Sequence, residues 1–175
     1  AYTDGRGNTI VTAYDPQGLV AYTEGAATNR TTYGYDVLGR RTKVADAVGN
    51  ITHTQYDAEG RATKTWGAVY PVEYGYDKLG RMVSIKTFRD ENGPGDETCW
   101  FYDQPTGLLT NKLYADGKGP SYTYTPSGLI ATRTWGRLAP VTGTKLFTLY
   151  SYDAAGSLVG VDYSDATHDI MYTYD

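Results

Sequence analysis

Few residues of this chain have the chemistry for acid–base, nucleophilic or metal work. His53 and His168 are the only histidines, and Cys99 is the only cysteine. A tetrahedral metal site draws on closely spaced imidazoles or thiolates, and neither His-x-x-x-His nor Cys-x-x-Cys occurs. Cys99 stands beside Trp100 with no histidine near it in sequence, so it reads as a small buried hydrophobe and not as an activated thiolate. His53 reads as a half-exposed strand residue. Oxygen donors are better gathered: the segment from Arg89 to Thr98 brings Asp90, Glu91, Asp96 and Glu97 together with Asn92, the kind of ligand set that calcium takes. Their spacing matches neither an EF-hand loop nor a glycine-rich calcium roll, so the segment is expected to be a solvated insertion and the protein to need no cofactor. Gly5-Arg6-Gly7 and Gly117-Lys118-Gly119 lack the strand-to-helix setting of a phosphate loop and read as turns. Asn29-Arg30-Thr31 and Asn50-Ile51-Thr52 match the glycosylation triplet, although Asn50 already has a place in a turn. No nucleophile, base and orienting group can be named together, and an enzyme is not expected.

What recurs instead is turn chemistry. Tyr14-Asp15 leads to Gly18, Tyr35-Asp36 to Gly39, Tyr56-Asp57 to Gly60, Tyr76-Asp77 to Gly80 and Tyr152-Asp153 to Gly156. Tyr102-Asp103 reaches Gly107 with one extra residue, Tyr124-Thr125 reaches Gly128 without the aspartate, and Tyr174-Asp175 begins the phrase again. The tyrosine-to-tyrosine steps are 21, 21, 20, 26, 22, 28 and 22 residues. A fixed period of this size marks an array of supersecondary units, each burying its apolar side against its neighbours. An aspartate that opens a four-residue turn can accept from the backbone amide two residues on, and a glycine three residues later supplies the positive φ that closes a hairpin with a bulge. Each Tyr-Asp-x-x-Gly is therefore read as a hairpin tip. Asp46-Ala47-Val48-Gly49-Asn50 and Asp4-Gly5-Arg6-Gly7-Asn8 supply the return turns.

Two turns in about 21 residues leave strands of roughly six. Between the turns, aromatic and β-branched residues recur with period two, as in Tyr33/Tyr35, Tyr74/Tyr76, Tyr122/Tyr124, Tyr150/Tyr152 and Tyr172/Tyr174. These rings share a face and are expected to stack in ladders across neighbouring strands. Arg40, Arg61 and Arg81, each just after a tip, add guanidinium groups that suit either sugar binding or cation–π contacts within the sheet. No stretch carries a capped helical stripe, so the fold class is all-β. The apolar mass lies in 18 tyrosines, which suits strands with one packed and one wet face. A net charge of −4 offers no footprint for nucleic acid, and no apolar run approaches the length of a membrane-spanning helix.

The alternation of Asp-x-x-Gly-Asn-x-Thr with Tyr-Asp-x-x-Gly-Arg, clearest from Gly39-Arg40 through Asp46-Ala47-Val48-Gly49-Asn50-Ile51-Thr52 to Tyr56-Asp57-Ala58-Glu59-Gly60-Arg61, resembles the YD repeats of the RHS (rearrangement hot spot) family. The resemblance runs through residues 1–175 as a single array of about eight repeats, is looser after residue 88, and suggests a piece of a longer chain with insertions near 88–99 and 136–146. It implies tandem β-hairpins in a continuous antiparallel sheet that spirals as an arc of a hollow shell or barrel. In bacterial RHS proteins and insecticidal toxin-complex C subunits such a shell encloses a C-terminal toxin, and in teneurins a related barrel belongs to a cell-surface adhesion molecule. The family's self-cleaving aspartates have no matching stretch. Asp15-Pro16-Gln17-Gly18 has a superficial likeness to them, yet Tyr14 before it and the regular spacing after it make it a hairpin tip. The resemblance thus implies a non-catalytic shell segment of a secreted or surface bacterial protein. Its partners would be neighbouring repeats of the same or an identical chain and an enclosed toxin domain. The alternatives are an adhesion module that binds surface glycans, or a fibre subunit joined by edge-to-edge β pairing.

Overall fold

The computed structural model describes every residue except Arg6, Ala26, Ala27, Thr28, Glu91 and Asp175. The sequence expectations for the Gly5-Arg6-Gly7 turn, for Glu91 in the acidic insertion and for the last Tyr174-Asp175 phrase fall partly outside the described residues. The strands are β1 (Tyr2–Thr3), β2 (Thr9–Tyr14), β3 (Val20–Glu24), β4 (Arg30–Tyr35), β5 (Arg41–Ala45), β6 (Ile51–Tyr56), β7 (Ala62–Gly67) and β8 (Val72–Tyr76). They continue as β9 (Met82–Thr87), β10 (Asp96–Tyr102), β11 (Leu109–Leu113), β12 (Ser121–Tyr124), β13 (Ile130–Leu138), β14 (Lys145–Tyr152), β15 (Leu158–Tyr163) and β16 (Ile170–Met171). Strands consecutive in sequence are hydrogen-bonded neighbours in one antiparallel sheet ordered β1 to β16. The all-β reading holds, and the described residues contain no helix.

The turns dictate this pairing. At the tips, Gly39, Gly60, Gly80 and Gly156 have φ of 75°, 84°, 81° and 85°, the left-handed region that a side chain resists. In each case the aspartate amide donates to the carbonyl four residues on, as from Asp36 to Arg40 (3.0 Å) and from Asp57 to Arg61 (3.0 Å). The return turn repeats the device: the Asp46 amide donates to the Asn50 carbonyl at 3.0 Å, and Gly49 has φ 91°. With both turns closing after so few residues, neighbouring strands have no choice but to run antiparallel.

Two compact units make up the chain, one of Ala1–Gly75 with Ile85–Gly95 and one of Tyr76–Ser84 with Asp96–Asp175. In the first, cross-strand rows such as Tyr33–Val44–Thr52 and Lys43–His53–Trp66 lie on opposite faces. In the second, β14 alternates cleanly: Leu146 and Thr148 are buried while Phe147 and Leu149 on the other face are 41% and 40% exposed. Leu146 and Val161 are buried, as are Pro71 and Pro120, and the most enclosed side chain is Thr148, 1% exposed and bonded through Oγ1 to the Trp135 indole at 3.1 Å. The accessible surface totals 11996 Å² for 19.2 kDa. A globular protein of that mass exposes roughly 8,400 Å². The difference is the signature of a sheet whose two faces lack a covering layer.

The two insertions behave differently. Residues 88–95 leave the strand pattern after the Phe88 amide bonds the Pro71 carbonyl at 3.0 Å. Within residues 136–146, β13 runs to Leu138 and β14 starts at Lys145, so the insertion lengthens the β13–β14 hairpin and ends it in a 139–144 turn that closes through the Ala139 amide on the Thr144 carbonyl (2.8 Å). The physical reason lies in Leu146 and Thr148, whose burial carries the strand alternation to Lys145.

Replacing Gly60 with valine is expected to cost about 1–3 kcal/mol, the strain of a β-branched residue in the left-handed region. Gly67 is the more severe test, since it combines φ 105° with an approach so close that an added Cβ would collide with the Ile51 carbonyl. Urea unfolding of Gly67→Ala and Gly60→Ala, compared side by side, should show the larger loss at Gly67.

Candidate functional site

The tips are built from the aspartate outward. Asp36 Oδ1 accepts from the amides of Leu38 (2.9 Å) and Arg40 (3.0 Å), while Oδ2 accepts from Arg40 Nε at 2.6 Å. Asp77 repeats this with Leu79, Arg81 and Arg81 Nε, and Asp57 does so with the Arg61 amide and Nε. Asp15 and Asp153 cap the amides two and four residues on without an arginine, at Gln17 and Leu19 and at Ala155 and Ser157. In the longer tip the Asp103 carboxylate turns to the Thr106 amide (2.9 Å) and hydroxyl (2.6 Å). Where threonine replaces aspartate, Thr125 Oγ1 takes the Leu129 amide at 3.1 Å. At the return turn Asn50 plays the arginine's part, its Nδ2 donating to Asp46 Oδ2 at 2.8 Å.

In six of the phrases the tyrosine does something the sequence reading did not foresee. Tyr35 donates its hydroxyl to the Val20 carbonyl (2.9 Å), Tyr56 to Arg41 (2.9 Å), Tyr102 to Met82 (2.9 Å), Tyr124 to Leu109 (2.6 Å), Tyr152 to Ile130 (2.9 Å) and Tyr174 to Leu158 (2.7 Å). In every case the acceptor is the second residue after the glycine of the preceding tip. The ladder between hairpins stops short of that residue: β3 and β4 pair from Tyr22/Thr32 to Glu24/Arg30, and β5 and β6 from Lys43/His53 to Ala45/Ile51. The phenol thus bonds a carbonyl lying beyond the end of the ladder. Within each hairpin the same residue borders a bulge, since Tyr35 faces Arg41 while Gly34 faces Lys43, leaving Thr42 unopposed.

The expected ladder of stacked tyrosines is not what the rings do. Tyrosines of equal phase are two strands apart, about 9.5 Å at the spacing of a sheet, too far for rings to touch. Guanidinium groups occupy the interval: Arg40 lies 5.0 Å over Tyr56, Arg81 4.5 Å over Tyr102 and Arg41 4.8 Å over Tyr33. Arg40 also donates through Nη1 to the Asp57 carbonyl at 2.5 Å, so a single side chain ties one tip to the next. Arg81 Nη1, beside the longer tip, is buried and has no such partner among the described residues. Among the described residues His53 stacks on Trp66, with centroids 5.2 Å apart, which gives His53 a packing role.

Burial alone would raise the Asp36 and Asp57 carboxyls, but the bonds from Arg40 and Arg61 outweigh it and hold both below the usual carboxylate range. Asp77 is lowered in the same way by Arg81. Asp46 is lowered chiefly by Asn50 and Asp103 by Thr106. Burial, with Glu97 nearby, pushes the Cys99 thiol up, away from nucleophilic use. In the acidic insertion Asp90 accepts from the Asn92 amide at 3.0 Å and so caps its own turn, while Asp96 and Glu97 open β10. Among the described residues no three histidine, cysteine, aspartate or glutamate side chains converge as a metal site.

The two faces of the second unit differ in chemistry. One carries the row Phe101–Asn111–Ser121–Thr134–Phe147, with small polar side chains between exposed rings. The other carries Tyr122–Arg133–Thr148–Tyr163 and is tiled by cations over rings, among them Lys112 at 5.1 Å from Trp100 and Arg133 at 3.7 Å from Trp135.

Comparison with known proteins places this geometry. The RHS Repeat family model matches residues 14–51. No curated protein matches the sequence. Among solved structures, the crystal structure of TcdB2-TccC3-TEV is similar over 90% of this chain and 9% of that one, at 19% identity and TM-score 0.66. That of TcdB2-TccC3-Cdc42 is similar over 93% and 9%, at 18% identity and TM-score 0.69. A structure of the Photorhabdus luminescens Tc holotoxin pore, mutated in TccC3, matches over 89% and 9%, at 19% identity and TM-score 0.66. The present chain spans less than a tenth of those chains' length. The likeness to these structures is one of fold, and the family match marks an RHS repeat at residues 14–51.

Two outcomes follow for the tips. Tyr35→Phe leaves the Val20 carbonyl without its donor and is expected to cost about 1–2 kcal/mol in urea unfolding. The lowered carboxyls at Asp36, Asp46, Asp57, Asp77 and Asp103 contribute stability that is complete above the ordinary carboxylate pKa of about 4 and lost as pH falls through their depressed folded values. Unfolding free energy should therefore hold from pH 7 to about pH 5 and fall on further acidification, with a shallower fall in Asp36→Asn.

Proposed function

We propose that this chain is a non-catalytic wall segment of an RHS-type shell, one arc of a longer repeat array, and that its task is to enclose an attached polypeptide. One observation carries the reading. A single-layer sheet exposes some 3,500 Å² more than a globular protein of its mass would, yet its turns close through backbone bonds and six tyrosines bond the hairpin before them. Residues that define the repeat are turn formers, phenol donors and guanidinium bridges, and each is engaged within the sheet. A wall needs such inertness, because its backbone polar groups must be satisfied before it can exclude water and proteases from a guest. The partners are then the neighbouring repeats at β1 and β16 and an enclosed chain, with a toxin as the class of guest that the RHS resemblance brings. Secretion from a bacterium is the setting in which such a guest would be used.

A second reading rests on the strand edges. β1 and β16 each pair on one side and consist of two residues, and Met171 is 88% exposed. Edge-to-edge addition of identical chains would extend the sheet as a fibre.

Limited proteolysis of the natural protein separates these readings. The polypeptide that accompanies the repeats should resist protease while the sheet is folded and become cleavable in the Tyr35→Phe, Tyr56→Phe double variant under mild denaturant. Equal cleavage in both overturns enclosure. Sedimentation of the 175-residue chain alone is expected to show concentration-dependent association through the open edges, and a strictly monomeric species at high concentration would exclude edge pairing.

A further inference from the structure

The tips differ chiefly in the residue that follows the glycine. Arginine stands there at positions 40, 61 and 81, leucine at 19, 108 and 129, and serine at 157. Arg40, in the first unit, shows what the arginine meets. Its Nε reaches Asp36 Oδ2 at 2.6 Å, its Nη1 donates to the Asp57 carbonyl of the next tip at 2.5 Å, and its guanidinium lies 5.0 Å over the Tyr56 ring. A carboxylate oxygen of one tip, a carbonyl of the next and a tyrosine face thus define a seat for one guanidinium.

At the first tip, in the same unit, these three groups recur and Leu19 replaces the arginine. Asp15 Oδ1 accepts from the Gln17 and Leu19 amides at 3.0 and 2.8 Å, while Oδ2 has no partner among the described residues. The Asp36 carbonyl takes the Gly39 amide at 3.0 Å and keeps a second lone pair, whereas Asp57, with its own glycine amide at 3.2 Å, also accepts Arg40. The Tyr33 ring already carries Arg41 at 4.8 Å, but Tyr35, the counterpart of Tyr56, carries no cation among the described residues. Asp15, Tyr35 and Asp36 line one pocket of about 680 Å³, walled by Leu19 and Tyr33. That volume is within the usual range for a ligand site, roughly 300–1,000 Å³. Its lining holds two carboxylates and no basic side chain, and Asp36 is already paired with Arg40 at 2.6 Å. Asp15 is therefore the open charge.

The other tips without arginine do not repeat the combination. Asp103 spends Oδ2 on Thr106, Thr125 brings a hydroxyl in place of a carboxylate, and the tip that follows Asp153 reaches Asp175, outside the described residues.

We infer that the pocket beside Asp15 is a seat for a guanidinium group brought by another molecule, held as the sheet holds Arg40. Shape decides the ligand class. A guanidinium is planar, offers its N–H groups in a fixed fork and is weakly hydrated, so one group can reach a carboxylate and a carbonyl while its face lies on a ring. An ammonium is a compact, strongly hydrated point charge with no face to lay there. The seat is independent of whether the chain is a wall segment or a fibre subunit.

Chemical-shift titration of the isotope-labelled 175-residue protein tests this, with methylguanidinium, methylammonium and the capped tripeptide acetyl-Gly-Arg-Gly-amide as probes. Salt screens an exposed pair, so the titration is run at low ionic strength. The Gln17 and Leu19 amides, which Asp15 holds, are expected to shift with methylguanidinium, and methylammonium to bind at least about tenfold more weakly. Asp15→Asn keeps an oxygen for both amides and removes the charge, so binding should fall about tenfold with circular dichroism unchanged. Leu19→Arg supplies the guanidinium from within and should abolish probe binding while the protein stays folded. No shift at Gln17 and Leu19, equal affinity for methylammonium, or an Asp15→Asn or Leu19→Arg protein that binds as well as the parent each overturns the seat. Tighter binding of the tripeptide than of methylguanidinium identifies the occupant as an arginine side chain of a polypeptide, and the reverse order identifies a small alkylguanidine.

Discussion

The interaction on which the rest of this structure depends is a phenol hydroxyl given to a carbonyl one hairpin back. Where the ladder between hairpins ends, the strands separate, and a separated strand in a single-layer sheet would leave a carbonyl to be satisfied by chance. The tyrosine of the tip supplies the donor from the next hairpin and fixes the distance between the two. A neutral hydrogen bond contributes only about 1 kcal/mol, but its loss strands the acceptor as well. Repeated along both units, it gives each hairpin a defined place on its predecessor without any three-dimensional core.

That arrangement explains the otherwise thin interior. Leu146, Val161, Thr148 and the prolines Pro71 and Pro120 are the buried side chains among the described residues, too few to hold a layered domain together. Stability is spread instead over local turns and nearest-neighbour contacts, as in other repeat proteins. Arg40 shows the economy of the scheme, binding its own tip aspartate, the carbonyl of Asp57 and the ring of Tyr56. Its counterpart Arg81 loses the carbonyl where the next tip gains a residue, and the orphaned Nη1 marks the join as weaker.

Much of this was legible in the sequence because turn chemistry is local. Aspartate and glycine three apart specify a tip from within five residues, and alternation of rings with small residues specifies a strand. The role of tyrosine was not legible, because its acceptor is a backbone carbonyl in another hairpin and carries no side-chain signature. The expected tyrosine stacks failed on a distance of two strands, which arginines fill. The insertion at 136–146 is strand at both ends, to Leu138 and from Lys145, where the burial of Leu146 and Thr148 continues the alternation, and a turn at 139–144 joins them. The irregularity of β13 between Thr134 and Leu138 was hidden in the sequence: Gly136 is needed for close approach to Gly119, and nothing in its neighbours distinguishes it from a turn glycine.

The acceptor of the tyrosine bond is always counted from the glycine that ends a tip, never from the tyrosine that begins it. The sequence distance spanned by the bond is 15 residues for Tyr35 and Tyr56, 20 for Tyr102 and 22 for Tyr152, yet the bond is the same. Insertions are thereby absorbed without propagating a register error, as residues 103–107 and the lengthened β13–β14 hairpin demonstrate. Such an array is tolerant of evolutionary drift in a particular way. Lineages can add, lose or rewrite residues between the tyrosine and the glycine, or out beyond the ladders, while two positions per repeat preserve the spacing of the whole.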